Sequence, residues 1–272
     1  MKKDKKISVK TALPLFLISL IFLLNGCSML KPDKAALEMI QEKGELRVGI
    51  TPNYPPLIFK EEKEIKGLEA DMAASLGRHF NVPVVYVETP FTQLIRALNE
   101  GEIDIIMSGM SVTGKREAVA LFTEPYTYVG QMAIIRKQDK NRFYPPEKAI
   151  YENALRVGYE SGTTGMTFAV NTLLMAELVK FDSADAGLTA LRNGEIAGFI
   201  HDSPTAWRIL NDPSSNLTVL TEPLTKEPLA WAVRQTDQAL AKELNGILKD
   251  WKASGSMQEM LDKWIPAATS TE

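Results

Sequence analysis

"ALNEGEIDIIMSG" (97–109) returns, with few changes, as "ALRNGEIAGFIHD" (190–202). Both share the frame A-L-x-x-G-E-I followed by an apolar run. In each, a helical stretch, "FTQLIRALNE" (91–100) or "AGLTALRN" (186–193), stops at a glycine suited to the position just past a helix end. A buried strand then starts at once. A second pair, "LRVGI" (46–50) and "LRVGY" (155–159), reads as short buried strands that each enter a loop. Strand, helix and strand thus recur in the same order in both halves. That order predicts an α/β protein of two lobes, each a mainly parallel sheet flanked by helices, rather than one continuous sheet. Ligands of open α/β sheets sit beyond the carboxyl ends of the strands. The loops that begin at Thr51, Ser108, Glu160 and His201 should therefore face one another across a cleft.

The chain around these repeats has 272 residues, 45% hydrophobic and 24% charged, enough to fold one large or two medium domains without disulfides. Its start is different in character. "MKKDKKISVK" is basic, and Ala12–Leu24 is an apolar run short for a membrane span. Small residues then precede Cys27, the only cysteine. This arrangement resembles a bacterial lipoprotein signal: residues 1–26 are expected to be a signal peptide, Cys27 the lipidated first mature residue, and 27–36 a tether. A lone thiol in an exported protein has no disulfide partner, and acylation explains it. The acyl chains would hold the protein on a membrane, at about 0.8 kcal/mol per buried methylene. Removing residues 1–26 takes away five Lys and one Asp and leaves 26 basic and 33 acidic residues, a net charge of −7. That balance argues against nucleic acid as a partner. With two His and one Cys, no metal site and no cofactor are expected.

The predicted cleft loops carry a distinctive chemistry. In "SGMSVTGKREAVALF" (108–122), Thr113 suits a helix N-cap, which puts Arg116 in the first turn, where a cation opposes the helix dipole. Such an Arg reaches a surface carboxylate such as Glu117 or Glu124, or offers its planar fork to a ligand carboxylate. In the second case Ser108, Ser111 and nearby backbone N–H groups complete an anion site. In "FIHDSPTAW" (199–207), Asp202 is either the N-cap of the next helix or an acceptor for a ligand ammonium, and His201 beside it reads as structural. Tyr54, in the Pro-rich "TPNYPPLIF", and Phe91, at a helix start, lie at the cleft edge, although Phe91 also fits a hydrophobic staple. Met110 and Met166 add apolar surface. "ESGTTG" (160–165) invites comparison with a phosphate cradle, but no P-loop lysine follows it and Glu160 would repel phosphate.

Taken together, "LRVGITPNYPPLIF…IKGLEADMAASLG…FTQLIRALNEGEIDIIMSGMSVTGKREAVALFTEPY" and "GFIHDSP" are similar to the type 3 extracellular solute-binding proteins, from about Leu46 to Ile265. The resemblance implies a two-lobed Venus-flytrap fold and an amino-acid receptor for an ATP-driven (ABC) importer. It would be extracytoplasmic, monomeric, and partnered by a membrane permease. Position by position, it implies that Arg116 grips the ligand α-carboxylate together with the backbone at Ser108 and Gly109 and the hydroxyl of Ser111, Met110 lending apolar surface. Asp202 takes the α-ammonium, Tyr54 and Phe91 sandwich the ligand, and Thr163 or Thr164 donates from the second lobe. Lobe one would comprise 37–125 and 231–266, lobe two 131–224, with hinge crossovers at 125–131 and 224–231. Thr51 stands where many binders of polar amino acids carry an acid, Glu160 where a basic or polar residue is common, and Ala197-Gly198 where Asp-Ala is common, so specificity is where this chain departs. Two other functions remain on this scaffold: a cyclohexadienyl or prephenate dehydratase-like enzyme, for which the G-G-T-N-E sequence is missing, and a ligand-sensing regulatory lipoprotein. With neither a transmembrane helix nor a second domain after the lobes, a free-standing receptor is expected.

Overall fold

A computed structural model describes residues 36–152, 154–220 and 223–265. The expected signal peptide, Cys27 and the tether up to residue 35 lie outside the described residues; Ala36 already belongs to a helix (Ala36–Lys43) and is buried. In chain order the strands are β1 (Leu46–Ile50), a three-stranded meander of β2 (Asn53–Tyr54), β3 (Ile58–Glu61) and β4 (Glu64–Lys66), then β5 (Val84–Glu88), β6 (Ile105–Ile106) and β7 (Leu121–Phe122). There follow β8 (Thr127–Val129), β9 (Gln131–Arg136), β10 (Arg156–Glu160), β11 (Glu177–Phe181), β12 (Gly198–Asp202), β13 (Leu217–Val219), β14 (Glu227–Leu229) and β15 (Ala232–Val233).

Two five-stranded sheets result, β5-β1-β6-β15-β7 and β11-β10-β12-β9-β13. They are built alike, and the two-lobed α/β reading holds. The sheets are mixed, however, rather than mainly parallel. In each, two parallel pairings (β1 with β5 and β6; β10 with β11 and β12) continue into two antiparallel ones made by strands that the sequence repeat does not include. Between the sheets, β8 and β14 pair antiparallel as a two-stranded ribbon.

The repeated motifs explain themselves at this level. A Cβ on Gly49 of "LRVGI" would lie 2.2 Å from Ile103 Cδ1, and one on Gly158 of "LRVGY" 2.7 Å from Ile196 Cδ1. Ile103 and Ile196 are the isoleucines of the two G-E-I frames, so one motif leaves the space that the other fills. The arginines match as well. Arg47 donates to the carbonyls of Gly101 and Glu102 and pairs with Asp104 through two nitrogens, while Arg156 donates to the carbonyl of Glu195 at 2.6 Å. Gly101 and Gly194, with φ of 74° and 80°, follow the helix ends as the sequence predicts.

Packing follows the two periodicities. On β9, Met132 and Ile134 join one hydrophobic cluster and Ala133 and Ile135 the other, so both faces of the second sheet are covered. In lobe one, Leu68, Met72 and Leu76 of the helix Leu68–Phe80 share one buried cluster with Trp231 and with Leu240, Leu244 and Leu248 of the helix Gln238–Ser254. The chain thus returns to the first lobe after building the second.

Candidate functional site

The carboxyl ends of β1, β6, β10 and β12 converge on a cleft between the two sheets, the place where open α/β sheets take their ligands. Every expected contact residue except Met110 and Met166 lines it: Thr51, Tyr54, Phe91, Ser108, Gly109, Ser111 and Arg116 from one side, Glu160, Thr163, Thr164 and Asp202 from the other. Met110 is 1% exposed and packs with Leu94, Leu98 and Ile103 in the core beneath. The cause is local. Gly109 turns the chain with φ of 60°, and the next side chain is carried inward.

Arg116 anchors the first side. Its helix is short (Gly114–Glu117), capped by Thr113, whose hydroxyl accepts the Arg116 N–H. The guanidinium does not seek Glu117 or Glu124. Nη1 donates to the Ser111 carbonyl at 2.7 Å, Nη2 to the Gly162 carbonyl of the other lobe at 3.2 Å, and the fork lies 5.2 Å over the Phe91 ring. Burial lowers its pKa, and the carboxylates of Asp202 and Glu227 work the other way. Phe91 is therefore a platform for the guanidinium as much as a wall.

Around Arg116 the polar groups are fixed by one another. Thr51 N–H donates to Ser108 Oγ at 2.9 Å, and the Thr51 hydroxyl donates to the Thr89 carbonyl at 2.7 Å. The Gly109 N–H, expected to face the ligand, donates instead to Glu69 Oε2 at 2.6 Å. A Cβ on Gly109 would stand 2.6 Å from the Tyr54 ring, so this position needs both the left-handed turn and the missing side chain. Glu69 is fully buried, and burial pushes its carboxyl up to about 8. Tyr126 lies close enough to influence it, yet its hydroxyl and Glu69 Oε1 fall short of hydrogen-bond geometry.

The second side is rich in titratable groups. β10 and β12 run further than the sequence suggested, so Glu160, His201 and Asp202 sit on strand ends and not in loops. Asp202 precedes the helix Ser203–Leu210 but makes no capping bond with its side chain, which leaves the carboxylate to the cleft. Its Oδ2 accepts the Tyr54 hydroxyl at 2.7 Å, and its Oδ1 accepts the amide of Gln131. Burial raises the Asp202 pKa, against His201 and the Tyr54 bond. His201 Nε2 lies 3.3 Å from Glu160 Oε2, its ring stacks on Phe199 with centroids 5.7 Å apart, and it makes a T-shaped contact with the Tyr54 ring at a centroid separation of 5.5 Å. Burial works against the imidazolium, but Glu160 and Asp202 outweigh it and the pKa is raised. The Thr163 hydroxyl is used locally: it donates to the Glu160 carbonyl and accepts the Met166 N–H as a helix cap. Thr164 Oγ1 accepts from Gln131 at 3.1 Å.

Three residues that sequence reasoning missed hold this arrangement. Gln131 is fully buried and bridges Asp202, Thr164 and Glu227. Glu227, on the ribbon strand β14, also accepts the Thr225 hydroxyl at 2.7 Å. Glu69 supports the turn at Gly109. Gln131 lies opposite Asp202 in the antiparallel register of β9 and β12, a relation between positions 71 residues apart that no local motif announces. Among the described residues no group of three or more His, Cys, Asp or Glu is arranged to hold a metal ion, and no helix is long and apolar enough to cross a membrane.

Comparison with known proteins places the chain in a family. The chain is 29% identical over 228 residues to ABC transporter arginine-binding protein 1 of Escherichia coli K12, covering 82% of this chain and 91% of that one. It superimposes with a TM-score of 0.79 and 28% identity on an ancestral amino acid-binding protein that is a precursor of cyclohexadienyl dehydratase, covering 85% of this chain and 99% of that one. Holo ArgBP from T. maritima gives a TM-score of 0.73 at 29% identity, covering 79% and 93%. The model of one family matches residues 46–267, nearly all of the two lobes, and the chain belongs to it: the bacterial extracellular solute-binding proteins, family 3.

Proposed function

We propose that this protein captures an amino acid, or a similar small zwitterion, between its lobes and delivers it to an ABC-transporter permease. One observation carries the reading. Arg116 and Asp202 line opposite sides of one cleft, the guanidinium meeting only two carbonyls and a ring, the carboxylate free of its capping role. A fork for a carboxylate and an acceptor for an ammonium on facing walls match the two charges of a zwitterion. The names of the relatives, which include an arginine-binding protein, support the same class of ligand. The remaining contacts come from Ser108, Ser111 and Thr51 on one lobe and Thr164 on the other.

In this reading lobe one comprises 37–125 and 231–266, lobe two 131–224, and the β8–β14 ribbon is the hinge, with crossovers at 125–131 and 224–231. The ligand favours the closed state by touching both lobes. Lipid attachment at Cys27 after removal of residues 1–26 holds a monomer at the outer face of a bacterial membrane, and no cofactor takes part. A thermal-shift screen of the twenty amino acids tests the capture step, since a bound ligand raises stability by RT ln(1 + [L]/Kd). A rise in melting temperature with at least one amino acid is expected, and no shift with any would overturn the reading. Mass spectrometry of membrane-extracted protein tests the anchor: an unmodified Cys27 would remove it.

A second reading rests on the Glu160–His201–Asp202 cluster, which could serve acid–base chemistry in a closed site. Phenylpyruvate absorbance after incubation with prephenate would establish a dehydratase.

A further inference from the structure

The cleft holds more negative charge than a zwitterion uses. Resting on the amino-acid reading above, we propose that the ligand's side chain ends in a cation, and that Glu160 receives it while His201 gives up the proton that otherwise balances Glu160.

The argument begins with the charges. Arg116 and Asp202 account for the ligand's α-carboxylate and α-ammonium. Glu160 is left over. Its side chain is 12% exposed and lines the cleft, and its carboxylate meets one protein partner, His201 Nε2 at 3.3 Å. Glu227 stands behind Asp202 with Oε1 engaged by Thr225 and Gln131 and Oε2 without a hydrogen bond. Three carboxylates thus surround the site against one guanidinium. Closing a water-poor cleft over an unbalanced charge is costly, so Glu160 needs either a positive group on the ligand or a proton on His201. An acidic side chain would meet Glu160 directly and is excluded.

His201 is built to be the alternative. Its ring stacks on Phe199 and makes a T-shaped contact with Tyr54, 8% of its side chain is exposed, and Nδ1 has no hydrogen-bond partner, so the ring's polar business is with Glu160. The groups that face it are Glu160 on β10, Asp202 on its own strand and the Tyr54 hydroxyl from the first lobe; Arg116 and Glu227 act on it through Asp202. Both carboxylates favour the imidazolium. A ligand cation at Glu160 sits beside the same ring and disfavours it. Binding a cationic side chain therefore releases the proton, and binding becomes tighter as pH rises. A neutral side chain leaves the proton in place, and its binding does not gain with pH.

Calorimetry with L-arginine, L-lysine and the neutral isostere L-citrulline tests this on the wild-type protein and on Glu160→Gln. Arginine or lysine is expected to bind at least about tenfold tighter than citrulline. Between about pH 8 and about pH 5.5 the Kd of the cationic ligand should weaken by about tenfold or more, with citrulline nearly flat. In Glu160→Gln the preference for the cation over citrulline should collapse toward unity. The wild-type ratio stands even where the variant folds poorly. Citrulline binding as tightly as the cations, or a preference that survives Glu160→Gln, overturns the proposal. Capture of some other neutral amino acid with no response to arginine or lysine overturns it too, and leaves the receptor reading standing. If no amino acid binds at all, it is the receptor reading that has failed.

Discussion

The Tyr54 hydroxyl donates to Asp202 Oδ2 at 2.7 Å, a bond that joins β2 of the first lobe to the last residue of β12 in the second. Arg116 Nη2 makes the other cross-cleft contact described above, to the Gly162 carbonyl. These bonds favour the closed arrangement independently of any ligand. Tyr54→Phe keeps the ring against Gly109 and His201 and removes only the hydroxyl. A hydrogen bond to a charged acceptor is worth about 1.5–3 kcal/mol. The ligand-free population should therefore shift toward the open form by about tenfold or more, read as a larger radius of gyration in solution scattering. An unchanged scattering curve would mean that this bond does not govern closure.

Arg116 tests the anion end. Arg116→Ala leaves a ligand carboxylate facing carbonyls in a largely desolvated cleft, at a cost of about 3–5 kcal/mol, or at least a hundredfold in Kd. Arg116→Lys keeps the charge but loses the fork that reaches Ser111 and Gly162 together, and should recover only part of the affinity. Calorimetry against whichever amino acid the thermal-shift screen selects measures both. Wild-type affinity in Arg116→Ala would remove Arg116 from the site.

Legibility in the sequence follows the distance between partners. The G-E-I frames and their C-terminal glycines are local, and they predicted the two lobes. The turn at Gly109, by contrast, decides that Met110 faces the core, and a backbone angle is not written in the residue beside it. The antiparallel halves of the sheets were invisible because β9 and β15 enter from outside the repeats. A fainter echo could have found them. Arg136 and Arg234 each pair with an Asp three residues on, in "RKQD" and "RQTD". Each also donates to the equivalent carbonyls of its own lobe, Leu191 and Ile196 or Leu98 and Ile103. Gln131 and Glu227 had no such signal, since the bonds from Gln131 to Asp202 and to Glu227 depend on register and on the ribbon closing behind the cleft.

The close fit behind the repeats predicts a stability effect away from the ligand. A Cβ on Gly158 would meet Ile196, Phe181 and Phe199 at 2.7, 2.8 and 2.9 Å, and two of these are rings held in the core. Gly158→Ala should destabilise the protein by about 1–3 kcal/mol through overpacking. Chemical denaturation would register this as a lower midpoint at constant slope. A midpoint equal to wild type would show that the second lobe relaxes around the extra methyl.

Glu69 should make stability depend on pH. Its carboxyl is raised from 4.5 to about 8 by burial, so the folded state holds a proton that the unfolded chain gives up at much lower pH. The contribution is fully present below pH 4.5 and is lost as pH rises toward about 8, because between those values the native state binds more protons than the unfolded one. The slope approaches about 1.4 kcal/mol per pH unit in that window. Glu69→Gln keeps an oxygen to accept the Gly109 N–H but cannot ionise. Melting curves of the two proteins from pH 5 to 8 should therefore diverge, the wild type losing stability relative to the variant with each step upward. Parallel curves across that range would mean that Glu69 ionises in the fold as readily as in the open chain.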